Sequence, residues 1–218
     1  MISIQNLSYT YPKAAVPTLT GLNAQFEAGQ FTTIVGKSGA GKSTLLALLA
    51  GLCEPSQGTV SLGETDIRGL NKDTYRSKHV GVVFQNYNLL ANATALDNIT
   101  LAMSIGGVKG DKKSKAFALL AQVGIDQTKA LQPITKLSGG QRQRVSIARG
   151  LSNNPSVIIA DEPTANLDQL TSNGVVKVLQ NLAHEHGKTV IMVTHSGNVA
   201  KLSDTTYQLS KGGLTCMS

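Results

Sequence analysis

Phe31-Thr32-Thr33-Ile34-Val35 runs into Gly36-Lys37-Ser38-Gly39-Ala40-Gly41-Lys42-Ser43, and that into Thr44-Leu45-Leu46-Ala47-Leu48-Leu49-Ala50. The first five residues are apolar or β-branched and read as a buried strand. Residues 42–51, KSTLLALLAG, read as a compact apolar helix that ends on Gly51. The linking octapeptide fits G-x-x-x-x-G-K-[ST], placed between strand and helix as its chemistry requires. Gly36, Gly39 and Gly41 let the backbone turn tightly with N–H groups facing inward, and the helix N-terminus adds positive potential, so the loop is a cradle for anionic oxygens. Lys42 is expected to reach β- and γ-phosphates, the Ser43 hydroxyl to ligate Mg²⁺, and Thr44 to lie toward the α-phosphate. The nucleotide-binding stretch is thus Gly36, Lys37, Ser38, Gly39, Ala40, Gly41, Lys42, Ser43 and Thr44, with the Lys37 side chain itself read as solvated.

Outward from this stretch, Val80–Phe84 (VGVVF), Val157–Ala160 (VIIA) and Thr189–Thr194 (TVIMVT) repeat the character of Phe31–Val35, as strands buried in a parallel sheet do. Residues 169–186 place Leu170, Val175, Val178, Leu179 and Leu182 on roughly one helical face. Strands alternating with helices predict an α/β fold. Ile2–Ile4, Leu22–Phe26 and Thr59–Leu62 read instead as hairpin strands. From about 88 to 152 no strong strand run occurs, and Lys112–Val123 and Gln141–Leu151 look helical; that stretch is read as a helical lobe inserted into the α/β core. The VIIA strand delivers Asp161 and Glu162 to its carboxyl end, where open α/β sheets place ligands. Asp161 can hold Mg²⁺ through water. Glu162, on the other face by strand alternation, can take a proton from an attacking water. Together with the glycine loop, the pair predicts nucleotide hydrolysis.

Lys+Arg 20 against Asp+Glu 13 leaves +7, which favours anionic partners without choosing among nucleotide, nucleic acid and acidic membrane. Cys53 and Cys216, the two cysteines, form no CxxC pair, which argues against a disulfide framework or cysteine metal site. The longest apolar run, Leu45–Cys53, has nine residues, against the roughly 18 of a membrane span. The opening MISIQNLSYTYPK has no secretory pattern, so the expected location is the compartment of synthesis.

Leu137-Ser138-Gly139-Gly140-Gln141, followed by Arg142-Gln143-Arg144-Val145, resembles the signature of ATP-binding-cassette (ABC) ATPases. The resemblance extends along the chain through Tyr11, Gln85 after VGVVF, Asn166-Leu167-Asp168 after the DEPTA run, and His195 after TVIMVT. It implies a P-loop NTPase (RecA-like) α/β core with an N-terminal antiparallel β subdomain (1–87 and 153–218) and an inserted α-helical subdomain (88–152), together one ABC ATPase domain over 1–218. It further implies a head-to-tail homodimer in which each ATP lies between the glycine loop of one copy and Leu137, Ser138, Gly139, Gly140 and Gln141 of the other. By the same resemblance Tyr11 stacks on adenine, with Tyr9 as its competitor on the same strand face. Gln85 senses Mg²⁺ and the attacking water, His195 contacts the γ-phosphate and holds Glu162 and water in line, and Asp168 acts across the dimer. Glu162, His195 and Gln85 are then the catalytic residues, and Ser43, Gln85 and Asp161 the Mg²⁺ set. His79, His184 and His186 have no motif and are read as surface residues.

The implied activity is ATP hydrolysis driving a separate membrane permease from the cytoplasmic face, engaged through a groove around Asn86–Leu101, with no direct nucleic-acid partner. The segments 84–90, 95–99 and 161–168 look most like the branch serving lipoprotein release, macrolide efflux and antimicrobial-peptide export; Ala91-Asn92-Ala93 and the Lys-rich tract 109–115 depart from it. The chain stops 23 residues after His195, past the strand-turn pattern YQLSKGGL, so no regulatory domain is expected. Alternative readings are a soluble ABC ATPase acting on nucleic acid or ribosomes, and the ATPase of an importer.

Overall fold

The computed structural model describes residues 1–211 and 213–217; Gly212, within the YQLSKGGL pattern, and Ser218, the last residue of the expected domain, lie outside the described residues. The expected N-terminal hairpins form an antiparallel sheet: β1 (Ile2–Tyr9), β2 (Leu19–Phe26), β4 (Gln57–Leu62) and β5 (Thr65–Asp66), in the order β2-β1-β4-β5. A second sheet contains β3 (Phe31–Val35), β6 (Val80–Val83), β7 (Val157–Asp161), β8 (Thr189–Thr194), β9 (Thr205–Ser210) and β10 (Gly213–Cys216), ordered β10-β9-β3-β8-β7-β6. All its pairs are parallel except β10 with β9.

Strand parity builds the layers. Val157 and Ile159 of β7, with Ile191 and Val193 of β8, face one core; Ile158 and Ala160, with Val190 and Met192, face the other. Both faces are covered, which is why these strands read as unbroken apolar runs. On the first face lies α1 (Lys42–Leu49), whose Leu45, Leu46, Leu48 and Leu49 are all buried between the two sheets. A helix apolar on every side has no place at a surface. The short helix α2 (Lys72–Thr74) precedes β6. On the second face lie α3 (Ala95–Ile105), α4 (Lys112–Gln122), α5 (Gln127–Ala130) and α6 (Gly139–Gly150), all contributed by the segment between β6 and β7, and then α7 (Gln169–His184). The final helix, α8 (Gly197–Ala200), leads toward β9.

Two expectations are corrected. Leu170 is 84% exposed, and the buried face of α7 is Ser172, Val175, Val176, Leu179, Leu182 and Ala183, with Val178 only partly covered. At 100° per residue Leu170 lies about 140° round the helix from Val175, so its apolar character misled the periodicity. Phe84 lies beyond β6, which ends at Val83.

The helical segment is joined to the sheet by a close approach. A Cβ on Gly81 of β6 would stand 2.3 Å from the Gly150 carbonyl oxygen and 2.9 Å from Ile158 Cδ1. Gly81→Ala is therefore expected to push β6 off α6 and to cost about 2 kcal/mol of stability, read as a lowered urea midpoint with an unchanged slope.

Candidate active site

The loop between β3 and α1 behaves as its glycines require. Gly41 caps α1 at φ 95° with no side-chain hydrogen bond to the helix end, so the first N–H groups of α1 remain available to an anion. Gly36 is needed for a different reason than turning: a Cβ there would stand 2.4 Å from the Leu209 carbonyl oxygen of β9. Lys37, Ser38 and Gly39 are exposed, as expected for the Lys37 side chain, whereas Ala40 and Thr44 are buried.

Lys42 is only 6% exposed, and its Nζ donates to the carbonyl oxygens of Gly36 (3.0 Å) and Lys37 (3.1 Å). Glu162 Oε1 lies 3.9 Å from the same Nζ. His195, the first residue after β8, places Nε2 2.6 Å from Glu162 Oε1 and 3.3 Å from Lys42 Nζ. An Nε2–H that donates to the carboxylate cannot also accept from the ammonium; the lysine contact is a close approach. A cation, a carboxylate and an imidazole thus converge from the carboxyl ends of β3, β7 and β8.

The orientation of Glu162 has another origin than strand alternation. Asp161 is the last residue of β7, and Glu162 follows with φ 45°, its N–H donating to Val193 O at 3.1 Å. The left-handed backbone turns the carboxylate toward Lys42. Strain of this kind is tolerated where surrounding contacts over-determine it. Ser43 at the start of α1 is exposed, Asp161 is half-buried and Gln85 is exposed just beyond β6. Among the described residues no group of three or more His, Cys, Asp or Glu could cage a metal. A hydroxyl and a single carboxylate suit Mg²⁺ carried largely by phosphate and water, and do not suit a soft-ligand metal.

Tyr11 is 48% exposed and its hydroxyl lies 2.8 Å from Thr44 Oγ1, which ties it to the helix end. It sits past the end of β1 and so does not share a strand face with Tyr9; the two rings meet edge to face at 5.0 Å. Burial raises the pKa of the Tyr9 hydroxyl beside Cys53, and that residue packs against the core.

The second loop divides into packing and exposed parts. Leu137 and Gly140 are buried, whereas Ser138 is exposed. Ser138 Oγ accepts from the Gln141 N–H at 3.3 Å and Gln141 Oε1 accepts from the Ser138 N–H at 2.9 Å, a reciprocal cap on α6. A Cβ on Gly140 would stand 2.1 Å from Thr171 Cγ2. Thr171 in turn donates its N–H to Asp168 Oδ1 (3.0 Å) and its hydroxyl to Asp168 Oδ2 (2.6 Å), which holds the Asp168 carboxyl below the usual carboxylate range. Thr171 was not anticipated, although an acidic residue three positions before it is a recognisable helix-start signal. Of the motif-less histidines, His184 and His186 are exposed, bonded to Asp204 and Gln122, while His79 is half-buried and stacked on Tyr75.

The sequence pattern of the family described as "ABC transporter" matches residues 19–165. The uncharacterized ABC transporter ATP-binding protein YclH of Bacillus subtilis is 43% identical over 99% of this chain and 96% of its own. The lipoprotein-releasing system ATP-binding protein LolD of Treponema denticola is 40% identical over 98% and 97%. A bacterial ABC transporter cassette, MJ0796, solved as a dimer, superposes with a TM-score of 0.88 at 33% identity over 100% of this chain and 99% of that one. A second dimeric structure of it, in a post-hydrolysis state with ADP and Pi, gives a TM-score of 0.86.

Gly140→Ala is expected to destabilise the chain by roughly 1–2 kcal/mol, because overpacking against Thr171 outweighs the gain in helix propensity. In the double variant with Thr171→Ser the nearest Thr171 atom would be the Cβ at 3.5 Å. Thermal unfolding should then return to the parental midpoint or above.

Proposed function

Because the chain belongs to the ABC transporter family of ATP-binding proteins, and is an ATPase, we propose that it drives a separate membrane permease by closing as a head-to-tail homodimer around two ATP molecules. The observation that carries this reading is the meeting of Lys42, Glu162 and His195 at the uncapped N-terminus of α1. Lys42 holds the β- and γ-phosphates once they replace the carbonyls of Gly36 and Lys37 as its partners. Glu162 takes the proton of the attacking water, and His195, already bonded to that carboxylate, fixes its direction. Ser43, Asp161 and Gln85 hold Mg²⁺, which neutralises charge on the phosphates. Tyr11 stacks on the base. The second copy presents Ser138, Gly139 and Gly140 at the N-terminus of its α6, with its Leu137 and Gln141 supporting that loop and its Asp168 beside it.

No helix among the described residues is long and apolar enough to cross a membrane; on this reading the work goes to a separate permease chain, with this one at the cytoplasmic face of the membrane. A groove of about 300 Å³ between β6 and the helical segment, lined by Leu52, Phe84, Ala102 and Arg149 among others, supports docking there. Leu90, Leu101 and Ile105 add exposed apolar surface on the helical side. Similarity to LolD, with the motif-level likeness to the branch for lipoprotein release and macrolide efflux, favours export or extraction of a lipoprotein, peptide or drug.

Glu162→Gln should lower ATP turnover at least about 100-fold, the scale of a lost general base, while a dimer accumulates with ATP and Mg²⁺ in size-exclusion chromatography. Parental turnover, or a persistent monomer, would contradict the reading. Ser138→Arg should leave ATP affinity unchanged and abolish turnover; unaltered turnover would show that the nucleotide is enclosed by one copy.

A further inference from the structure

The turn after Gln85 holds two consecutive non-glycine residues in left-handed backbone, Tyr87 at φ 60° and Asn88 at φ 52°. Asn tolerates that region; an aromatic residue does so only under constraint. The constraint comes from α6. Ser146 Oγ donates to the Tyr87 carbonyl at 3.1 Å, Arg149 Nη2 donates to the same oxygen at 3.0 Å, and Arg149 Nη1 donates to the Asn88 carbonyl. Ser146 is fully buried and Arg149 half-buried. Burial lowers the Arg149 pKa from its ordinary value, in keeping with a guanidinium drawn partly out of water. At the other end of α6, a Cβ on Gly139 would stand 3.2 Å from the Tyr87 hydroxyl. One residue of the turn therefore brings its hydroxyl close to the start of α6 and binds the later part of α6 with its carbonyl.

We propose that Arg149 is a positioning residue for hydrolysis: by gripping the carbonyls of Tyr87 and Asn88 it sets Gln85 against the nucleotide site and makes Gln85 travel with α6. The inference rests on the reading of Gln85 given above and adds a route by which the loop that meets the other copy's nucleotide commands the water and metal in its own site. The planar fork matters, since it serves two carbonyl oxygens at once where a lysine ammonium serves as a point donor.

The test uses the full chain with ATP and Mg²⁺, measuring kcat, the Mg²⁺ concentration for half-maximal turnover, and binding of a fluorescent ATP analogue. Arg149→Lys is expected to lower kcat about tenfold and raise the Mg²⁺ requirement several-fold, with nucleotide affinity within twofold of parental, the split expected when only the reacting geometry is lost. Adding Asn88→Gly to that variant should restore part of the turnover, because glycine holds the left-handed turn without a clamp. A merely structural arginine gives no such rescue. Parental kcat and Mg²⁺ dependence in Arg149→Lys, a parallel loss of nucleotide affinity and kcat, or no recovery with Asn88→Gly would overturn the proposal. Should Arg149→Lys fail to fold, Ser146→Ala carries the same test with a smaller expected loss of about threefold, and parental behaviour there counts against the clamp. Gln85→Ala separates the two levels. If it is damaging while Arg149→Lys is silent, the clamp alone fails; if it is silent, the role of Gln85 fails and the proposal with it.

Discussion

A buried ammonium organises this molecule. Lys42, 6% exposed, cannot sit in an apolar interior unless its charge is answered on the spot. The answers come from three parallel strands: carbonyls of the loop leaving β3, the Glu162 carboxylate beyond β7, and His195 beyond β8 in contact with that carboxylate. The sheet order β3-β8-β7 is what lets them meet, since parallel strands bring their carboxyl ends to one edge. Removing any one of the three strands from that order would leave a charge without its partner. The same convergence is what a triphosphate and an attacking water require, so the demands of stability and of chemistry select one arrangement.

Backbone strain marks where that arrangement is sustained from outside. Glu162, Tyr87 and Asn88 all lie at positive φ without being glycine. Each is held by a partner from a different element: Val193 of β8 for Glu162, Ser146 and Arg149 of α6 for the other two. The left-handed conformation costs energy locally and is stable only while the neighbouring element stays put. On the proposed reading, strained residues that depend on separate elements would let the site sense the motion of those elements.

Most of the core was legible because its strands are buried on both faces and its phosphate loop has fixed spacing. The four expected strands are present as β3, β6, β7 and β8, and the stretch from 88 to 152 forms α3 to α6 with no strand of the two sheets within it. What escaped depended on information that apolar periodicity does not carry. Leu170 is apolar yet faces outward, because the register of α7 is set by Val175, Val176 and Leu179 packing on the sheet. Glu162 was assigned its direction from strand alternation, whereas a positive φ after the strand end supplies it. Arg149 bonds carbonyls 61 and 62 positions away and Thr171 packs on Gly140, relations visible only once the chain is folded.

The two helix N-termini assigned to phosphate are built differently, and the difference suits their tasks. The end of α1 has no side-chain cap, which on the proposed reading leaves its backbone N–H groups beside Lys42 to receive the anion directly. The end of α6 is capped by its own Ser138 and Gln141, an arrangement that satisfies the Ser138 and Gln141 N–H groups when no anion is near. In that cap Ser138 Oγ acts as an acceptor from Gln141, and among the described residues no hydrogen bond uses its hydroxyl proton. An exposed hydroxyl that accepts from its own helix still has its proton to donate outward. In the proposed dimer the cap therefore does not compete with a phosphate held by a second copy, while Gly140 packed on Thr171 fixes the helix that carries the hydroxyl. On the same proposed reading, separation of the two copies leaves this capping box intact, so that half of the site keeps its shape when it stands alone.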